Sequence, residues 1–456
     1  MVVGTTMVPS TSLEAFVPPS PDDHYDMLFT MPELEAALSS CRRPSAPGPD
    51  GISYASLSHL GMEGRTVLLS YYNDTWASGI VPEHWKISRL VALLKPGKPP
   101  YELTSYRPVA LASCVGKVME RMVLARLEWF LEQNALYPDM MTGFRRGRSS
   151  IDSVIDLIST VEHEKRSRRL VAAVFLDIKG AYDNVLHDAI LDALDDIGVG
   201  GRMYSWIGSY LNGRSVYMST PDGETTRHQV CRGVPQGGVL SPTLFNVALI
   251  GLVNELPTNI HISAYADDIC IWASGSTRPQ MRARLQRAVS STSRYLRRQG
   301  LHLAAEKCAV VAFTRKSVCH YPVTLQGVAI PYVSHHRFLG IIIDRDLSWS
   351  RHINMLKKRL TLFCHVLRFV AGIKWGPTER SLLRLYYTLF IGYIRYSLPV
   401  LSNMSISCLR TLESVQAQAL KICLGLPRFL HAHCASIAPN CHQTMPCRII
   451  PCSPHG

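Results

Sequence analysis

His261-Ile-Ser-Ala-Tyr-Ala-Asp-Asp-Ile-Cys-Ile-Trp-Ala273 is the stretch whose reading decides the fold. Two short β-prone runs, His261 to Ala266 and Ile269 to Ala273, flank Asp267 and Asp268. Such a pattern predicts a hairpin with two acids at its tip. Upstream, Leu170 to Leu176 is an unbroken apolar run that ends in Asp177. An apolar run of that kind predicts a central strand, with a charge at its exit. Neighbouring strands lie about 4.8 Å apart, so one sheet can bring Asp177 and Asp267 together.

The surroundings complete the unit. Leu186, Ile190, Leu194 and Ile197 have helical spacing over residues 184–197, and a basic helix is predicted over about 279–299. A further strand is predicted from Cys308 to Thr314. Strand, helix, hairpin, helix, strand is the order of a ferredoxin-like antiparallel sheet backed by helices, which makes the fold class α+β. N-terminal to it, residues 8–22 read as a Pro/Ser/Thr-rich linker and Thr30 is placed to cap a helix starting near Pro32. Ser45-Ala-Pro-Gly-Pro-Asp-Gly51 is a rigid turn. Residues 52–133 read as mainly helical, interrupted by one strand candidate, Leu90 to Leu94, and beyond Asp344 the chain reads as helical to about Leu424. The apolar stretch Leu385 to Leu401 is broken by Arg395 and crowded with Tyr, which predicts a buried helix and not a membrane span.

Composition narrows the function. The 456 residues include 48 Lys and Arg against 35 Asp and Glu, a net charge of +13 that suits a polyanionic partner, nucleic acid first. Hydrophobic residues make up 47%, a globular composition. The 13 cysteines are odd in number and scattered, and no signal peptide is visible, so a reducing intracellular setting is expected. No Gly-Lys-Ser/Thr phosphate loop occurs, which leaves ATP hydrolysis unsupported.

A carboxylate beside a dry core is costly unless compensated. A divalent cation is the natural partner for Asp177, Asp267 and Asp268. Magnesium prefers oxygen ligands and keeps water and phosphate in its shell. An Asp-Asp pair in a turn is ordinary, and an Asp after a strand is often only a cap. Their company decides the matter. Tyr265-Ala-Asp-Asp268 resembles the YxDD signature of reverse transcriptases, and Phe175-Leu-Asp-Ile-Lys-Gly-Ala-Tyr-Asp-Asn-Val185 resembles their first catalytic motif. Gly233-Val-Pro-Gln-Gly-Gly-Val-Leu-Ser-Pro242 resembles the second, extended by Arg232 and Asn246. Ser45 to Gly51, Trp85 to Arg121, Thr142 to Arg148, Phe338-Leu-Gly340 and Leu412 to Pro427 carry the likeness over most of residues 26–430. The chain is similar to the reverse transcriptase region of non-LTR (LINE-type) retrotransposons.

The resemblance implies a right-hand polymerase: fingers over residues 26–168, a ferredoxin-like palm over 169–343 and a mostly helical thumb over 344–430, with 1–25 a linker and 431–456 an irregular tail. It implies RNA-directed DNA synthesis with magnesium, or manganese in its place, on an RNA template, a DNA primer and dNTPs, in the cytoplasm and nucleus. The matches of Asp177 and Asp267 hold the metals, Asp268 supports them, and the carbonyl of Ile178 touches the triphosphate metal. Tyr182 matches the aromatic gate against a ribose 2′-hydroxyl. Gln236 contacts the incoming nucleotide beside the permissive Gly237 and Gly238. Arg107 matches a cation on the triphosphate, Lys95 is a second candidate there, and Lys307 matches a proton donor to pyrophosphate. Arg145, Arg146 and Arg148, with Lys357, Lys358 and Arg359, are candidates for backbone phosphates. The Arg-rich helix from Arg282 to Arg298 reads as a solvated face behind the palm.

Family members carry an endonuclease ahead of this region, and some an RNase H domain after it; neither is visible in this sequence. Cys434, Cys441, His442, Cys447 and Cys452 lack the spacing of a zinc site, and the tail is expected to bind no zinc. The alternative function is an inactive truncated element that only binds nucleic acid.

Overall fold

The computed structural model describes residues 24–41, 45–220, 223–314, 322–372, 376–401 and 403–427. The expected linker up to residue 23, the Cys/His tail and its zinc reading lie outside them. Residues 24 and 25 correct the linker boundary. They open a short 3-10 helix, His24–Asp26, and Tyr25 is buried with its ring centroid 4.9 Å from that of Phe130. Apolar contact overrides the Pro/Ser/Thr composition just before it.

The helix Met31–Ser40 starts as the sequence predicts, with Thr30 and Glu33 forming a reciprocal capping box. Strand β1 (Ile87–Leu94) is the expected strand, but it is not alone. Strand β2 (Tyr106–Leu111) pairs with it antiparallel, Leu93 opposite Arg107. Strand β4 (Arg214–Thr220) lies parallel to β1 on its other side, after the helix Gly201–Leu211, and pairs in turn with β5 (Gly223–Glu224) and β6 (His228–Val230). Residues 52–133 are mainly helical as expected, and the first sheet adds one strand, β2, that the sequence reading does not include. Its strands come together from distant parts of the chain, which local periodicity does not reveal.

The second sheet is the one that the opening stretch predicts. Strand β3 (Leu170–Asp177), hairpin strands β7 (His261–Tyr265) and β8 (Asp268–Gly275), and β9 (Ala309–Ala312) run antiparallel in the order β7-β8-β3-β9. In chain order that is second, third, first, fourth, the ferredoxin-like arrangement. Both faces are covered, which explains the absence of alternation in β3. Ala172, Val174 and Leu176 face Leu244 and Phe245 and the basic helix Arg278–Arg298. Val171, Ala173 and Phe175 face Val154, Leu157 and Val161 of the helix Ser150–Arg166, together with the C-terminal helices.

Beyond the small hairpin β10 (Thr324–Leu325) and β11 (Val328–Ala329), strands β12 (His335–Phe338) and β13 (Ile341–Asp344) lead into the helix Ser350–Val370. That helix packs against Ile406–Cys423. In the segment Leu385 to Leu401, Phe390, Ile391, Ile394 and Leu401 are buried, and no helix among the described residues is long and apolar enough to cross a membrane.

Asp344 makes the corner between β13 and that helix. Its buried carboxylate accepts from the backbone N–H groups of Asp346 (3.0 Å), Ser348 (3.0 Å) and Trp349 (3.1 Å), and from the Ser348 hydroxyl. Removing the carboxylate strands these donors at a cost of about 1–3 kcal/mol. Asp344→Ala is expected to lower the midpoint of thermal unfolding by several degrees, and calorimetry against the parent chain checks it.

Candidate active site

Strand register brings the carboxylates together. Asp177, the last residue of β3, stands directly opposite Asp268, the first of β8, and Tyr265 pairs with Asp268 from the other side. Asp267 is thereby confined to a two-residue turn, in which Ala266 has the left-handed φ of +55°. That conformation costs an L-residue roughly 1–2 kcal/mol, so the turn has to be held from outside.

Residues 140–143 hold it. Ala264 N–H donates to Met140 O (3.0 Å), Thr142 N–H donates to Ala264 O (3.1 Å), and Met141 pairs with Ala264 as a parallel bridge. A Cβ on Gly143 would stand 2.8 Å from the Ala266 nitrogen, so only glycine admits this approach. The Asn246 amide in turn donates to Gly143 O (2.7 Å).

Charge is concentrated at the tip. Burial raises the Asp268 carboxyl to about 6 from an ordinary 3.8, with the Asp267 and Asp177 charges adding to it. Burial raises Asp267 too, as does the Asp177 charge, while its own backbone N–H and the cations Arg107 and Lys307 pull the other way. Lys307 Nζ donates to Asp177 Oδ2 at 3.1 Å, so the lysine predicted as a proton donor does lie at the carboxylates. Ile178 pairs antiparallel with Leu303, and the bonds are made by its neighbours: Ala304 N–H donates to Asp177 O and Lys179 N–H to His302 O. This pairing turns the carbonyl of Ile178 away from Leu303, toward the β8 side.

Of three further predicted residues, Tyr182 and Arg107 lie within electrostatic reach of Asp267, and Gln236 is held by Asp183 and Ala110. Tyr182 stacks on Phe245 with ring centroids 5.1 Å apart, and burial followed by the Asp267 charge pushes its phenol above the ordinary range. Gln236 Nε2 donates to Asp183 Oδ1 (2.8 Å), and the backbone carbonyl of Gln236 accepts from Ala110 N–H of β2 (2.7 Å). Arg107 is exposed on the same strand. Gly237 has φ +117°, and a Cβ there would meet Ala110 O at 2.9 Å, so its freedom also serves an internal contact.

Lys95 is placed differently. Its ammonium donates to Thr104 O (2.9 Å) inside the β1–β2 loop. Arg145 is likewise engaged within the protein, paired with Glu132 (2.8 Å) and lying over the Tyr137 ring; Arg148 pairs with Asp139 (2.9 Å), and Arg146 is exposed.

Sequence reasoning missed Glu120. This buried carboxylate on the helix Cys114–Gln133 accepts from the N–H groups of Val239 (2.6 Å) and Leu240 (3.3 Å) and from the Tyr210 hydroxyl (3.2 Å). It clamps the turn that carries Gln236. A signal was present: Glu120 sits between Met119 and Met122 on the face that buries Val118 and Val123, where an unpaired acid is rare.

Among the described residues, no group of three or more His, Cys, Asp or Glu converges closely enough to hold a metal by itself. The donor set is nonetheless all oxygen and short of positive charge, which fits a cation that completes its shell from water and phosphate.

The family model described as reverse transcriptase (RNA-dependent DNA polymerase) matches residues 93–343. The chain belongs to the reverse transcriptase family. The RNA-directed DNA polymerase from mobile element jockey of Drosophila melanogaster is 25% identical over 413 residues, covering 88% of this chain and 44% of that protein. A probable RNA-directed DNA polymerase from transposon BS of the same organism is 26% identical over 408 residues, covering 87% and 45%. The putative 115 kDa protein in type-1 retrotransposable element R1DM, also from Drosophila melanogaster, is 29% identical over 400 residues, covering 87% and 38%. The likeness to non-LTR retrotransposon enzymes thus extends over most of the chain, which spans less than half the length of these relatives. The right-hand polymerase architecture goes with that family and with the ferredoxin-like sheet.

The raised Asp268 carboxyl has a consequence for stability. Between pH 3.8 and about 6 the native state keeps a proton that the unfolded chain has released, so stability falls as pH rises through that window. In chelator-treated protein, Asp268→Asn is expected to raise the thermal midpoint above pH 6. The gap to the parent chain should close toward pH 4. Melting curves across this range, read by intrinsic fluorescence, provide the check.

Proposed function

We propose that this chain is the polymerase part of a non-LTR retrotransposon protein, extending a DNA primer 3′-hydroxyl with dNTPs on an RNA template. One observation carries the reading: in a member of the reverse transcriptase family, Asp177, Asp267 and Asp268 converge at one end of a sheet, with Lys307 bonded to Asp177 and Arg107 acting on Asp267. The intact cluster favours a working enzyme over a remnant that only binds nucleic acid. We assign fingers to 26–168, palm to 169–343 and thumb to 344–430, and place its action in the cytoplasm and nucleus.

Asp177 and Asp267 would hold magnesium, or manganese, with Asp268 and the Ile178 carbonyl in support. Bound there, the metal would activate the primer hydroxyl and stabilise the leaving phosphate oxygen. Arg107, near enough to act on the Asp267 carboxyl, would meet the triphosphate, and its guanidinium fork suits phosphate oxygens. Lys95 would join it only by giving up Thr104. Lys307, held at Asp177, would pass a proton to the departing pyrophosphate. Gln236 would meet the incoming nucleotide in an orientation fixed by Asp183. Tyr182 is wedged against Phe245 and cannot easily yield, so its ring would exclude a ribose 2′-hydroxyl.

Primer extension on poly(rA) with oligo(dT), magnesium and dTTP tests the activity. Asp267→Asn is expected to reduce the rate by about 100-fold or more. Extension that survives this substitution would remove the cluster from the chemistry. Tyr182→Ala is expected to raise incorporation of GTP relative to dGTP by about 10–100-fold on a C-containing template, because a lost clash is worth that much discrimination. The ratio of kcat/KM values for the two nucleotides is the measurement.

A further inference from the structure

The helix Arg278–Arg298 contains seven arginines and no acidic residue over 21 positions. A helix face that only meets solvent normally mixes both signs, because like charges three or four residues apart repel. The arginines are not equivalent. Arg282 donates to Pro322 O, Arg284 to Ser274 O, and Arg298 pairs with Glu255 (2.6 Å). Among the described residues the side chains of Arg294 and Arg297 make no hydrogen bond or ion pair, and that of Arg287 reaches only back to Ala283 O of its own helix (3.4 Å).

Helical spacing gathers these three. Ala283, Arg287, Ser290, Arg294 and Arg297 are all exposed and follow one another at steps of three or four, while Met281, Leu285, Val289 and Leu296 are buried against the sheet. The result is a cationic stripe on the outer side. From Arg287 to Arg297 it runs about 15 Å, at 1.5 Å per residue. Beside it lies an open groove of about 560 Å³ between the helix and the β10–β11 turn, lined by Gln286, Ser290, Arg294, Arg297 and Gly327. Hydroxyl, amide and guanidinium groups are the donors that phosphate oxygens and sugars accept from.

Position adds a second argument. The C-terminal end of this helix lies at the carboxylate end of the sheet. Leu186 N–H donates to Gln299 O (3.0 Å), and Gly300 packs on Asn184 and Leu186, just beyond Tyr182. The stripe therefore starts close to the catalytic end yet occupies the opposite side of the helix from the sheet.

We propose that this stripe is a second nucleic-acid site, one that grips the sugar-phosphate backbone of single-stranded RNA lying outside the catalytic cleft. Binding there is independent of base sequence and salt-sensitive. It goes beyond the polymerase assignment and is read without polymerisation.

The test is fluorescence-anisotropy titration of the full chain with three probes: an RNA strand of about 60 nucleotides, a DNA strand of the same length, and an RNA–DNA hybrid of about 15 base pairs. Salt is varied from about 50 to 300 mM. For the triple variant Arg287→Gln/Arg294→Gln/Arg297→Gln, affinity for the long RNA is expected to fall roughly tenfold. Its salt dependence should weaken by about two in the log–log slope, at about 0.7 per lost contact. Short-hybrid binding and extension on it should stay unchanged, and the triple Lys variant should keep the long-strand affinity. A parallel loss for the long DNA strand also supports a backbone site. The proposal is overturned if long-RNA affinity and slope do not change, if only the DNA strand responds, or if the short hybrid weakens equally. An unchanged RNA affinity would leave the stripe to an acidic protein. If the parent chain fails to extend a primer but the long-RNA loss persists, the polymerase assignment falls and this site stands.

Discussion

Asp177 and Asp268 face each other across an antiparallel ladder, and this pairing of like charges is the constraint around which the molecule is arranged. Like charges directly opposite one another destabilise a sheet. The register survives because a one-residue slip would turn every side chain of β3 to the other face, and both faces are committed to cores. Apolar packing fixes the strand, and the strand fixes the acids. The unfavourable charge at the tip is then what makes the site receptive to cations, whether Lys307 Nζ at 3.1 Å or a divalent ion.

The tip does not stand unsupported. The 140–143 segment adds to the edge of β7, Asn246 anchors that segment, and Ala266 is kept in a conformation it would not choose alone. The turn that carries Gln236 has its own support: Glu120 clamps one end of the Gly237–Gly238 turn and Ala110 holds Gln236. The acid tip and the turn that carries Gln236 are thus both held from outside, by Asn246 through Gly143 and by Glu120.

The central sheet was legible because its signals are local. A continuous apolar run, a hairpin with acids at the turn and a helix with clear periodicity each declare themselves within about a dozen residues, and the motifs name the acids, Tyr182 and Gln236. The first sheet was not legible. Strand β1 pairs in parallel with β4 some 120 residues away, and Tyr106 to Leu111 carries a proline and an arginine that hide its strand character. The engagement of Arg145 with Glu132, and of Lys95 with Thr104, depends on side-chain geometry that spacing does not encode. Nothing in the sequence around Tyr25 announces the Phe130 ring that it packs on, so a linker boundary at residue 25 falls short of the structure.

The clamp made by Glu120 also bears on how the molecule assembles. Its partners Val239 and Leu240 lie 119 and 120 residues further along the chain. Closing a loop of that length carries an entropic cost that must be met before the contact returns anything. A carboxylate buried ahead of its donors would be an orphan charge, so the helix Cys114–Gln133 cannot finish packing on this face until the later segment arrives. The turn at Gly237–Gly238 and the helix Cys114–Gln133 therefore complete each other's packing only once residue 240 has been made. A nascent chain halted earlier would expose Glu120 and the apolar side chains around it, and would be a natural client for chaperones.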